Sequence, residues 1–162
     1  MSASDDMGRR EIALRQIKLY SAAAVAPGLV PVPVLDAGLV AAVQVALVHK
    51  LAGLYEVPFE TQRTTALVSA LVGGGASVSL GFGIIGLLRV AGPIAGVLTV
   101  GTLGAASTWA VGQVFTQHFE TGGTFLTFDP ERMKAHYAEL LSAKAIESKR
   151  RAETPVEGPR RP

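Results

Sequence analysis

Residues 64–117 form a run of 54 positions with a single full charge, Arg89. No other feature limits the fold as strongly, because a run that apolar must leave water, either into lipid or beneath the rest of the chain. The other 108 residues hold 27 of the 28 charges, one in four, the density of an ordinary water-facing surface. Split at Arg89, the run gives 25 residues (64–88) and 28 residues (90–117). A bilayer core of about 30 Å takes about 20 helical residues, and lipid offers no partner to the backbone of an open strand. These lengths predict an all-α chain: an integral membrane helical hairpin with flanking amphipathic helices. The hinge is expected over residues 86–93, where Gly86, Arg89, Gly92 and Pro93 cluster, with Arg89 at the tip snorkelling to headgroups.

Eleven glycines fall between Gly73 and Gly112. In water each costs a helix nearly ~1 kcal/mol relative to alanine. In lipid, small residues instead let helix backbones approach. Gly92-Pro-Ile-Ala-Gly96 is a G-x-x-x-G, and Gly101/Ala105 and Ser69/Gly73 repeat the spacing. Gly92, Gly96, Gly101 and Ala105 are therefore expected at a helix contact, within the hairpin rather than between chains. Trp109 is expected to pack against the first arm.

The flanks are polar. Ser4, Asp5 and Asp6 suit a helix start, and the helix runs to about Ala24. Ile12, Leu14, Ile17 and Leu19 alternate with Arg9, Arg10, Arg15 and Lys18. Two readings fit: a basic amphipathic helix on an anionic membrane surface, or a solvated helix with its apolar side on the bundle. The expectation carried forward is the membrane surface. Pro27, Pro31 and Pro33 end this helix. Asp36 reads as the cap of a second, interfacial helix to about Tyr55, or as an interaction residue together with Gln44. A third span is the alternative for that segment. Gly122-Gly123 is a turn, and Asp129-Pro130-Glu131 starts a last helix, with Met133, Tyr137, Leu140 and Leu141 on its apolar side. The division expected is 1–26 basic helix, 27–58 proline bend and interfacial helix, 59–119 transmembrane hairpin, 120–149 cytoplasmic helix and 150–162 disordered tail.

Chemistry is sparse. No cysteine is present, which removes disulfides, thiolate metal sites and a cysteine nucleophile. Gly73-Gly74-Gly75 is followed by Ala76-Ser77, with no lysine to reach a phosphate. His49, His118 and His136 do not share ligand spacing, and no acid–base pair lies near the serines and threonines of the apolar run. Neither an enzyme nor a bound cofactor or metal is expected. A net charge of +2 without a strongly basic element argues against nucleic acid as a partner. No secretory signal is visible, since the first residues are acidic. Lys50, Arg63, Arg132 and Lys134 flank the outer ends of the hairpin against Arg89 alone at its tip. That asymmetry places both termini in the cytoplasm, with the chain in a bacterial inner membrane.

Linked motifs carry a family resemblance. Leu29-Val-Pro-Val-Pro-Val-Leu-Asp36, Gln44 and Leu51-Ala-Gly-Leu-Tyr-Glu-Val-Pro-Phe59 stand in the first half. Ala105-Ala-Ser-Thr-Trp-Ala-Val-Gly112, His118-Phe-Glu-Thr-Gly-Gly123 and Phe128-Asp129 stand in the second. Together they resemble the YcjF-like family of bacterial membrane domains, over roughly residues 21–142. Glu56 departs from the glycine common after the tyrosine, and the usual glycine before Asp36 is missing. The resemblance implies an all-helical, membrane-embedded domain, often fused to or encoded beside GTPases of the Era or dynamin-like type, with no catalytic residues to carry over. A GTPase is thus expected only as a possible partner. The function expected is a non-enzymatic membrane scaffold, anchor or membrane-shaping subunit, in a homo-oligomer or membrane complex with the lipid bilayer. The alternatives are a channel or transport component, and a soluble helical bundle with a buried apolar hairpin.

Overall fold

The computed structural model describes the backbone of residues 3–25, 33–73 and 93–153, and the side chains of 5–25, 38–73 and 101–151. Among the described residues there are five helices and no strand: α1 (Ala3–Ala23), α2 (Pro33–Leu54), α3 (Thr61–Gly73), α4 (Pro93–Glu120) and α5 (Pro130–Glu153).

Each helix starts or stops where local chemistry directs it. Asp5 and Asp6 lie in the first turn of α1, facing the positive end of its dipole. Pro33 and Pro93 open α2 and α4, positions where a missing N–H costs nothing. Asp129 caps α5: its Oδ1 accepts from the Glu131 N–H at 3.0 Å and the Arg132 N–H at 3.4 Å, with Pro130 as first helical residue. Helix α4 ends in a left-handed Gly122 (φ 79°), and the Gly123 N–H closes back on the His118 carbonyl at 2.9 Å. Helix α2 ends the same way, with the Val57 N–H on the Ala52 carbonyl at 2.9 Å, but the left-handed residue is Glu56 (φ 58°).

Helix α4 is the core. It packs against α1, α2 and α5, and more lightly against α3. Its glycines make the α1 contact possible. A Cβ on Gly112 would stand 2.7 Å from Ile17 Cγ1, one on Gly104 3.0 Å from the Ala24 carbonyl oxygen, and one on Gly101 3.3 Å from Val25. The two helices run antiparallel through this seam, and Ala13, Ile17 and Ala24 are fully buried on it. Phe115 stacks on Phe128 at 4.4 Å, and Phe119 meets Phe125 edge-on at 5.4 Å. These rings close one end of the bundle under the 121–129 loop.

Several expectations are corrected. Among the described residues no helix is long and apolar enough to cross a membrane. The first arm is described only as far as Gly73, where α3 ends after 13 residues with Thr64, Val68 and Leu71 buried. The later part of the second arm is covered by α1, α2 and α5 rather than by lipid. Helices α1 and α2 both pack on α4, with Ala13, Ile17, Leu47, Val48 and Leu51 buried, while Met7, Ile12 and Leu19 of α1 and Leu39 of α2 stay exposed. Pro33 starts a helix rather than ending one, so Asp36 is its fourth residue and not its cap. Helix α5 continues to Glu153, taking in residues 150–153 expected in the tail.

Glu56 holds a backbone conformation that costs a side-chain-bearing residue about 1–2 kcal/mol and glycine almost nothing. Glu56→Gly is expected to stabilise the fold by about 1 kcal/mol, raising Tm by roughly 2–4 °C in thermal unfolding. An unchanged or lower Tm would show that the strain is relieved elsewhere.

Candidate functional site

The two ends of the bundle differ in kind. At the aromatic end a set of ionisable groups is tied into structure. The Tyr55 hydroxyl donates to Glu120 Oε1 at 3.1 Å, Arg10 pairs with Glu120 at 3.5 Å, and Arg9 lies 5.8 Å over the Tyr55 ring. Burial, then the Glu120 charge and hydrogen bond, push the Tyr55 hydroxyl well above its ordinary pKa, against the pull of Arg10 and Arg9. It stays protonated as a donor. His118 Nε2 lies 3.0 Å from the Thr124 carbonyl oxygen, His136 bonds Gln117 at 2.7 Å, and His49 stacks on Phe59 at 4.3 Å. Among the described residues no group of three or more His, Asp or Glu side chains could hold a metal ion.

In the middle, three helices share one polar junction. Gln44 of α2 donates to Ser107 Oγ of α4 at 2.9 Å, and Ser107 Oγ shares a 2.8 Å hydrogen bond with the Tyr137 hydroxyl of α5. Gln44 and Tyr137 are each 2% exposed. Burial raises the Tyr137 pKa, with the Ser107 hydrogen bond acting the other way. The junction fixes register among helices and presents nothing to a substrate.

At the other end the described helices begin or stop. Val25 beside Gly101, and Val40 beside Gly104, bring the end of α1 and the start of α2 to the start of α4. Helix α3 folds back along α2 from Phe59, which packs at the aromatic end on Phe125, so Gly73 points the opposite way. Helix α5 runs antiparallel to α4, from Phe128 beside Phe115 to Lys144 over the Trp109 ring at 5.3 Å. All five helices therefore have a terminus at this end. Val25, Leu39 and Ile146 are exposed there, and Lys149, Arg150 and Arg151 close α5. Along one side, an open groove of about 510 Å³ runs between α2 and α3, lined by Gly38, Ala41, Ala42, Val45, Ala46, His49, Phe59, Thr61 and Thr65. Its lining is small and apolar, without convergent polar groups for chemistry.

The residues singled out in the sequence are scattered by the fold. Arg89 and Gly92 lie outside the described residues, as does the side chain of Asp36. Gly96 lies in α4 without described surroundings. Gly101 faces α1 instead of the other hairpin arm, and Ala105 is half-buried on the same helix. Trp109 meets Lys144 of α5. Gln44 anchors the junction. Arg9 and Arg10 sit at the aromatic end, Arg15 pairs with Glu11 at 2.7 Å, and Lys18 is exposed. The helix that carries these four buries Ala13, Ile17 and Ala24 and leaves Met7, Ile12 and Leu19 exposed. The sequence reading missed Ser107 and gave Tyr137 only an apolar role. No local spacing joins them to Gln44, which is 63 positions from Ser107.

An α-helical bundle with a closed aromatic end, and an opposite end at which every described helix has a terminus, defines the class. The chain belongs to the family described as a domain of unknown function, DUF697, whose match covers residues 6–145. This match is to the family as a whole, and the YcjF-like resemblance is finer than it. The chain is similar to magnetosome membrane protein 22 of Magnetospirillum gryphiswaldense (strain DSM 6361 / JCM 21280 / NBRC 15271 / MSR-1), 32% identical over 153 residues, covering 91% of this chain and 78% of that protein. No solved structure matches.

Removing the junction's shared atom strands two buried groups at once. Ser107→Ala is expected to cost about 2–4 kcal/mol, since each buried polar group left unpaired costs about 1–3 kcal/mol. Tyr137→Phe leaves the Gln44–Ser107 bond in place and is expected to cost about 1 kcal/mol. Equal losses in denaturant unfolding would show that Ser107 is not the hub.

Proposed function

We propose that this chain is a non-enzymatic membrane scaffold or anchor subunit, whose bundle stands outside the bilayer and holds apolar chain at its open end. One observation carries the reading: the 74–92 segment, with Arg89 its only charge, leaves from Gly73 and returns at Pro93 on that same end. Two apolar passages entering lipid side by side need their flanks held together in water, and the α2–α3–α4 packing does this. The similarity to a magnetosome membrane protein supports membrane association. The basic flanks support placement in a bacterial inner membrane with both termini cytoplasmic, and the open α2–α3 groove leaves an apolar face for a second copy in a homo-oligomer. The YcjF-like resemblance adds a GTPase as a possible partner. A second reading, a water-soluble bundle that hides its apolar segment, is favoured by the described helices, none of which crosses a bilayer.

Carbonate extraction of cell membranes separates the two. The chain is expected to stay in the membrane pellet, and release into the supernatant would establish the soluble bundle. Because no cysteine is present, single cysteines at Ser2 and Thr154 report topology. Neither is expected to react with an impermeant thiol reagent until the cells are opened. Labelling of intact spheroplasts at either position would reverse the orientation.

A further inference from the structure

We propose that the last turns of α5 form an anionic-lipid docking surface, so that the bundle stands end-on against the bilayer with Lys149, Arg150 and Arg151 on phosphate headgroups and Ile146 at the acyl boundary. The inference rests on the membrane reading above and adds which surface faces the lipid and what lipid it takes.

Position comes first. Helix α5 reaches the open end, where Lys144 has already passed Trp109 and two further turns remain. Ile146 is 58% exposed, and Lys149 and Arg150 follow it at the three- and four-residue spacings that share a helix face. An exposed large apolar side chain bordered by basic ones is the pattern of an interfacial helix side. Val25 and Leu39 add exposed apolar surface at the same end.

Charge gives the orientation. At the far end Glu56, Glu60, Glu120, Asp129 and Glu131 are matched in number by Arg9, Arg10, Arg63, Arg132 and Lys134, so that end offers an anionic surface little net attraction. Four pairs neutralise one another there, Arg10 with Glu120, Arg63 with Glu60, Arg132 with Asp129 and Lys134 with Glu131. At the open end Lys144, Lys149, Arg150 and Arg151 outnumber Glu147, the one acid beside them with a described side chain, which accepts from Lys144 at 2.9 Å and also feels Arg151. Arginine's planar fork suits phosphate oxygens, and cations near an anionic leaflet are drawn to it. The uncharged chain leaving Gly73 and returning at Pro93 does so on this same end.

The cysteine-free chain makes the test direct. Ile146→Cys and Ile12→Cys each give one attachment point on an exposed position for the environment-sensitive fluorophore NBD. The full chain is reconstituted into phosphatidylcholine vesicles with or without phosphatidylglycerol. With phosphatidylglycerol, NBD at position 146 is expected to shift to the blue and brighten several-fold, and at position 12 to respond alike in both lipids. Arg150→Glu with Arg151→Glu is expected to abolish the rise. Arg15→Glu with Lys18→Glu, an equal change of charge, is expected to leave it intact. Equal responses at 12 and 146, indifference to phosphatidylglycerol, or a full response in the Arg150/Arg151 variant would overturn the docking surface. Inorganic phosphate alone is expected to do nothing, and a response to it would assign the turn to a soluble anion. A chain that floats with neither vesicle overturns the membrane reading, whereas one that floats with a water-like spectrum at 146 overturns this surface only.

Discussion

The approach of α1 to α4 at Gly112 sets the spacing of the whole bundle. Ile17 occupies the room a side chain on Gly112 would need, with Leu47 of α2 3.1 Å from the same point. Three helices therefore converge on one missing Cβ. Because α1 lies so close on one side, α2 and α5 reach around α4 from the others and meet through Gln44, Ser107 and Tyr137. A buried polar chain fixes register, since sliding any one helix would leave its partners unpaired. The apolar contacts supply the drive to bury, and the glycine seam with this junction selects one arrangement.

Much of the local structure was legible. Asp129-Pro130-Glu131 names its own helix start, and Gly122-Gly123 its own stop, because each uses a residue whose backbone chemistry admits few alternatives. The all-helical class was legible from long uncharged runs. What covers those runs was not. Hydropathy registers that a surface avoids water but is blind to whether lipid or protein replaces it, and residues 101–117 are uncharged although protein covers them. Helix α1 shows the same limit. Its buried side is Ala13, Ile17, Ser21 and Ala24, mostly small, while the larger Ile12 and Leu19 are exposed. Close packing favoured small residues where a search for bulk looked elsewhere. Glu56 was visible as a departure from a family glycine, and its left-handed backbone gives the physical reason that glycine suits the position.

Helix stops and charges share one axis of the bundle. The α2 and α4 stops, the α5 cap and the Tyr55–Glu120–Arg10 cluster all lie at the aromatic end. Polar turn chemistry gathers there because those loops face water and must satisfy their own backbone groups. Residues 26–32 and 74–92, which in sequence link helices that end or begin at the other end, hold Arg89 as their only charge and are rich in Gly, Val, Leu and Pro. Such segments supply little to cap a helix in water. The contrast lies in the sequence itself, but only the fold shows that the two kinds of connection sit at opposite ends.

That polarity reconciles two observations that look opposed. The chain is similar to a membrane protein, yet no helix among the described residues crosses a bilayer. In the proposed reading a crossing helix is not required of the bundle, whose task is to hold the flanks of the apolar sequence together at one level. A domain built for that purpose needs a rigid base, provided by the phenylalanine cluster, and a fixed register among its helices, provided by the Gln44–Ser107–Tyr137 junction. It also needs an end whose charge agrees with the lipid it meets. Acids and bases pair with one another at the aromatic end, and the basic turn of α5 lies at the other. In the proposed reading a reversed bundle would give up the attraction between the α5 turn and an anionic leaflet, so the charge of that turn decides which way the domain stands.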